Sequence, residues 1–166
     1  MKLVFTASNT WVGRAIRWFT NSPTSHVMIG FNCPMLRADV TVDADIRGVA
    51  LMPAYKTRNN VVAEFSCPEH VRQVLPSVTR YLGERYDFAG LVWAVWPAVL
   101  WRWLRVKVKH PLRHTKEVKC SELVSTLFKE AKLPGTAEWD PEMVSPGDLL
   151  KYCSLSDQFI VVRPVG

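Results

Sequence analysis

The segment His26–Phe31 (HVMIGF) is apolar at almost every position and follows a Ser/Thr/Pro loop, Thr20–Ser25 (TNSPTS). A strand that is apolar throughout belongs at the centre of a sheet, not at its edge. Other extended candidates surround it in the sequence: Lys2–Thr6, Asp39–Val42, Gly48–Met52, Asn60–Phe65 and Gln158–Arg163. Helical spacing occurs in three places. Ser8 or Asn9 is placed to cap a helix running through Phe19, with Ala15, Trp18 and Phe19 on its buried face. Ser66 and Glu69 have capping-box spacing ahead of Val71, Val74, Leu75, Val78, Tyr81 and Leu82, with Pro76 expected to kink or shorten that helix. Cys120–Lys132 carries Leu123, Val124, Leu127, Phe128 and Ala131 on one face, and Leu133-Pro134-Gly135 stops it. Ser145-Pro146-Gly147-Asp148 reads as a turn. Strands in the first half and at the end, with helices around them, predict an α+β fold with a mostly antiparallel sheet.

At 166 residues, the chain fits one domain. Its 48% hydrophobic content rules out wholesale disorder. The net charge of +6 is concentrated in one place. Between Trp101 and Cys120 stand Arg102, Arg105, Lys107, Lys109, Arg113, Lys116 and Lys119, against the single acid Glu117, so the remainder is neutral. Just before this stretch, Phe88–Leu104 (FAGLVWAVWPAVLWRWL) holds four of the seven Trp. It is short of the about 20 apolar residues a spanning helix needs. It reads either as a buried helix or as an interfacial element beside a basic stretch suited to anionic lipid. Arg102, Arg105, Lys107 and Lys109 are the candidate anion or membrane contacts. No nucleic-acid motif accompanies them, and a nucleic-acid partner is not favoured.

The N-terminal apolar run is too short for a secretory signal, so a cytoplasmic location is expected, with peripheral membrane contact as a variant. The four cysteines, Cys33, Cys67, Cys120 and Cys153, are far apart and form no CxxC pair, which argues against a disulfide framework. His110 and His114 are four apart but lack Cys or carboxylate partners at ligand spacing, so no metal or other cofactor is expected.

Cys120 lies at the predicted start of a helix, where free backbone N–H groups and the helix dipole favour a thiolate and supply oxyanion donors. The same residue also fits a buried structural cysteine. A nucleophilic thiol needs an imidazole, and the imidazole needs a polar orienter. His26 opens a strand at a loop edge, where it would be both rigid and reachable, or a satisfied core histidine. His70, His110 and His114 read as surface residues. Asp43 and Asp45 are candidate orienters, or a solvated turn pair.

Ser25-His26-Val27 at a strand start, a strand carrying acid then Gly48-Val49, Tyr86-Asp87-Phe88, and Cys120-Ser121-Glu122-Leu123-Val124, in that order, resemble the circularly permuted papain-like enzymes of the NlpC type. The likeness is strongest to the YiiX-like amidase/peptidase branch, which includes small phage-encoded members. It spans about Ile16 to Leu149. It implies one domain over residues 1–166, with a Trp-rich, basic insertion around 88–119. It further implies Cys120 as nucleophile, His26 as general base and Asp43, in Val42-Asp43-Ala44, as orienter. The family's usual Glu is one methylene longer, so Asp45 stays open as a substitute. Tyr86 and Ser121 are supporting candidates. Where family members often begin with a Gly-Asp-containing strand, this chain has Val4-Phe5-Thr6-Ala7.

The implied activity is hydrolysis of an amide or ester bond in a peptide, peptidoglycan or lipid-like acyl substrate. The rival from another class is a non-catalytic binding module that uses residues 102–119 on an anionic membrane or nucleic acid.

Overall fold

The computed structural model describes residues 1–45, 48–57, 60–84 and 119–165. Tyr86, the Trp-rich run and the basic residues Arg102, Arg105, Lys107 and Lys109 lie outside the described residues.

In chain order the elements are β1 (Lys2–Thr6), α1 (Trp11–Thr20), β2 (His26–Cys33), β3 (Ala38–Asp45), β4 (Gly48–Pro53), β5 (Val61–Ser66), α2 (Glu69–Gln73), α3 (Cys120–Glu130), α4 (Pro146–Leu155) and β6 (Ile160–Arg163). Short 3₁₀ turns cover Ala54–Thr57, Leu75–Tyr81 and Pro141–Met143. The strands form one six-stranded sheet in the order β4-β3-β2-β1-β5-β6. Every neighbouring pair is antiparallel. The fold is thus α+β, and the apolar strand β2 lies inside the sheet between β1 and β3.

Strand alternation builds the core. Leu3 and Phe5 of β1, Val27 and Ile29 of β2, Val42 and Ala44 of β3, and Ala63 and Phe65 of β5 are all buried in one cluster. Phe5 and Phe65 meet edge to face with centroids 5.8 Å apart. Leu123, Val124, Leu127 and Phe128 of α3 close over this face at helical spacing, joined by Leu149, Leu150 and Cys153 of α4. Phe128 is fully buried and packs against Trp139, Tyr152 and Phe159.

Several local expectations need correction. The cap of α1 is Thr10, whose side chain accepts the Gly13 N–H at 3.2 Å, not Ser8 or Asn9. Ser8 instead braces Thr10, hydroxyl to hydroxyl at 2.9 Å, and forms the floor under Gly13. The helix does not bury Trp18, which is 57% exposed.

Ser66 stays in β5, paired with Ile160, and Pro68 is the N-cap of α2 with no side-chain cap bond. The sheet's demand for a sixth strand outweighs the local capping pattern. Pro76 acts as expected: α2 ends at Gln73 and the chain tightens into the 3₁₀ turn.

Helix α3 ends at Glu130, and Lys132 takes the left-handed conformation (φ 54°) that turns the chain. Ser145-Pro146-Gly147-Asp148 is not a free turn but the start of α4. The Ser145 hydroxyl accepts the Asp148 N–H at 3.2 Å, and the Asp148 carboxylate accepts the Ser145 N–H at 2.9 Å.

Candidate active site

Three elements converge at one end of the β2–β3 pair. The registered ladder runs from Cys33↔Ala38 to Ile29↔Val42 and, among the described residues, ends there, three residues short of His26. Beyond that point α3 packs against both strands and brings Cys120, its first residue, to the sheet end. Continued in register, Met28 would face Asp43. His26 is then the diagonal neighbour of Asp43 on the same side of the sheet, within reach of two medium-length side chains.

The His26 imidazole uses that reach. Its Nε2 lies 2.6 Å from Oδ1 of Asp43. The ring is one-fifth exposed and the carboxylate is nearly buried. Nδ1 is therefore the nitrogen left for Cys120, which is hydrogen-bonded to the same ring. The backbone N–H of Val27 also points at the sulfur. No β3 residue is registered opposite Val27.

Electrostatics follow from this geometry. Burial alone pushes the Cys120 thiol up, but the adjacent His26 charge, the His26 hydrogen bond and the Val27 N–H bring it below its ordinary 9.0, against a small upward push from Asp43. Burial alone pushes His26 down, yet the charge of Cys120 and the hydrogen bonds the ring donates to Asp43 and Cys120 hold it well above 6.5. The two shifts favour a thiolate beside an imidazolium.

The other cysteines differ. Burial pushes Cys67 up to about 12 and raises Cys153 further still. Cys33 is half-buried at the end of β2.

The start of α3 is built to hold charge. Glu122 accepts the Lys119 N–H at 3.3 Å through its carboxylate. The first backbone N–H groups of α3 have no intrahelical acceptor, and Cys120 is the first residue of that helix. Ser121 is buried one residue on.

His26 is itself clamped. The fully buried Thr24 hydroxyl donates to the Thr6 carbonyl at 2.9 Å and accepts the His26 N–H at 3.4 Å, with the His26 carbonyl 3.0 Å away.

The structure thus brings Cys120, His26 and Asp43 together. Asp45 ends β3 opposite Gly48. His70 is exposed on α2, away from the site. Sequence reasoning missed Thr24 and the Val27 amide. Thr24 sits in a run read as a polar loop, and no composition rule marks one hydroxyl of such a run as buried. The Val27 amide carries no side-chain signal at all.

No group of three or more His, Cys, Asp or Glu side chains placed to hold a metal ion occurs among the described residues. No described helix is long and apolar enough to cross a membrane.

No protein-family model matches the chain, and no curated protein matches it. Among solved structures it is similar to the metalloprotein yiiX from Escherichia coli O157:H7, with a TM-score of 0.52 and 19% identity. The likeness covers 98% of this chain and 95% of that one, and it is a likeness of fold.

Proposed function

We propose that the chain is a cysteine hydrolase of permuted papain-like, NlpC-type design that cleaves an amide or ester bond through Cys120, His26 and Asp43. The carrying observation is that one imidazole contacts both a carboxylate, at 2.6 Å, and a thiol held below its ordinary pKa. The yiiX-like fold and the His-before-Cys order support the same reading.

The Cys120 thiolate attacks the carbonyl carbon, and the carbonyl π pair moves onto oxygen. Backbone N–H groups at the start of α3 hold that oxyanion. The intermediate collapses as the His26 imidazolium protonates the leaving amine or alcohol, and a thioester remains on Cys120. Neutral His26 then takes a proton from water, and hydroxide adds to the thioester. Collapse releases the acid and returns the proton to the pair. Asp43 keeps the ring oriented and stabilises its charged form throughout.

Substrates of this class are peptides, including peptidoglycan peptides, and lipid-like acyl compounds. The single-domain arrangement over residues 1–166, with residues 88–119 as an insertion, belongs to this reading.

Competitive labelling tests it. With iodoacetamide at neutral pH, Cys120 is expected to label ahead of Cys33, Cys67 and Cys153, and Cys120→Ala to abolish turnover of thioester and peptide substrates. Equal labelling of the four thiols, with turnover unchanged in Cys120→Ala, overturns the proposal.

A further inference from the structure

Strand β6 ends the sheet and is apolar and exposed on both of its faces. Ile160 is 70% exposed, Val161 53% and Val162 56%, and Arg163 is exposed after them. One side of the strand pairs with β5. Among the described residues, no backbone hydrogen bond reaches Ile160–Arg163 from any other element. An open apolar edge is a template for another strand. The opposite edge of the sheet is blunted. Val49 of β4 accepts the Gly83 N–H at 2.8 Å and donates to the Glu84 carbonyl at 2.9 Å, and Pro53, which has no N–H, ends that strand.

The charges at the two ends of β6 indicate what the edge takes. Asp157 is exposed three residues before Ile160, and Arg163 closes the strand. Among the described residues, neither forms an ion pair. When two β6 strands lie antiparallel about a two-fold axis, the Arg163 end of each copy meets the Asp157 end of the other, so both charge pairs form together. A parallel pair would set Arg163 beside Arg163. The chain's own alternating stretch Val106-Lys107-Val108-Lys109 would answer Asp157 but set like charge against Arg163.

We propose that two copies of this chain join through antiparallel β6 strands into one continuous sheet. The pairing covers Ile160, Val161 and Val162 and uses up the open edge of both copies. With β4 blunted, assembly stops at two. The interface leaves the candidate site clear, because β1 and β5 stand between β6 and β2, which carries His26. The inference therefore does not rest on the hydrolase reading.

Sedimentation velocity of the full chain over a wide range of concentration tests it. A dimer that grows in with concentration is expected, and nothing larger. Val162 is the unregistered residue of the bulge between β5 and β6. Val162→Lys places a like charge on both sides of the two-fold axis, and should leave a monomer with wild-type far-ultraviolet circular dichroism. Asp157→Lys and Arg163→Glu should each weaken the dimer about tenfold when alone. An equimolar mixture of the two should pair as tightly as the wild type, since each copy then offers the charge that the other lacks. Cys120→Ala should dimerise like the wild type.

A monomer at every concentration overturns the proposal, as does a species larger than a dimer. So does a dimer that persists in folded Val162→Lys, or a mixture of the two charge variants that associates no more tightly than either one alone.

Discussion

Nε2 of His26 and Oδ1 of Asp43 stand 2.6 Å apart, joined diagonally across strands whose ladder has already ended. Among the described residues no registered β2–β3 pair fixes that separation, so the side-chain contact aligns the ring on a backbone that Thr24 holds. Asp43→Ala is expected to lower kcat on the order of 10²-fold, because the ring loses its orienter and the support for its charged form. Asp43→Asn should restore orientation in part but not charge, and so fall between the two. Steady-state kinetics, with thermal melts to show an intact fold, check the order; equal activity in all three proteins would contradict it.

The pH profile follows from the shifts of the pair. Below the lowered Cys120 pKa the thiol is neutral and unreactive. Above the raised His26 pKa the imidazolium proton is gone. The thiolate–imidazolium state occupies the window between, so kcat/KM should be bell-shaped. Its acid limb should lie below the ordinary thiol value of 9.0, and its alkaline limb above the ordinary imidazole value of 6.5. In His26→Ala the burial of Cys120 persists while its cation is lost. The pH midpoint for alkylation of Cys120 should therefore move upward. Iodoacetamide rates measured across pH, with mass-spectrometric assignment, give the answer.

Thr24 has no part in the chemistry but holds the backbone that carries His26. Thr24→Val keeps the shape and removes the hydroxyl that serves Thr6 and His26. The Thr6 carbonyl keeps the Ser25 N–H at 3.0 Å, but the His26 N–H loses this acceptor, which should cost about 1–3 kcal/mol of stability. Thr24→Ser should recover most of it. Urea denaturation of the three proteins measures the difference.

Phe128 is the hub of the aromatic group that ties α3 to α4 and to the segment before β6. Phe128→Ala should destabilise the fold by about 3–5 kcal/mol. Because α3 presents Cys120, the variant should also lose the selective alkylation of that thiol at temperatures where its circular dichroism is still native.

The sheet was readable because its signal is repeated: apolar residues at alternate positions in β1, β3 and β5 leave few other arrangements, and β2 is apolar from Val27 to Phe31. Helix α3 was readable for the same reason, through Leu123, Val124, Leu127 and Phe128. Single-residue signals were less secure. Ser66 and Ser145 have the same spacing to an acid three residues on, yet one lies in a strand and the other caps a helix. The difference is whether a neighbouring strand claims the backbone, which is a long-range fact. In the candidate site, the residue types alone left Cys120 open between nucleophile and structural thiol, and the resemblance singled out Cys120, His26 and Asp43 with Asp45 still open. Neither spacing nor periodicity could reveal that β2 and β3 cease to pair just where these residues meet.

That early end of the ladder bears on how the protein fails under stress. Backbone bonds between adjacent strands hold a sheet together as it warms, and among the described residues the registered β2–β3 pairs stop short of the imidazole. Local opening there needs far less free energy than global unfolding. In a slow temperature ramp, inactivation should run ahead of melting, and brief cooling from that interval should restore turnover while the rest of the sheet has never come apart.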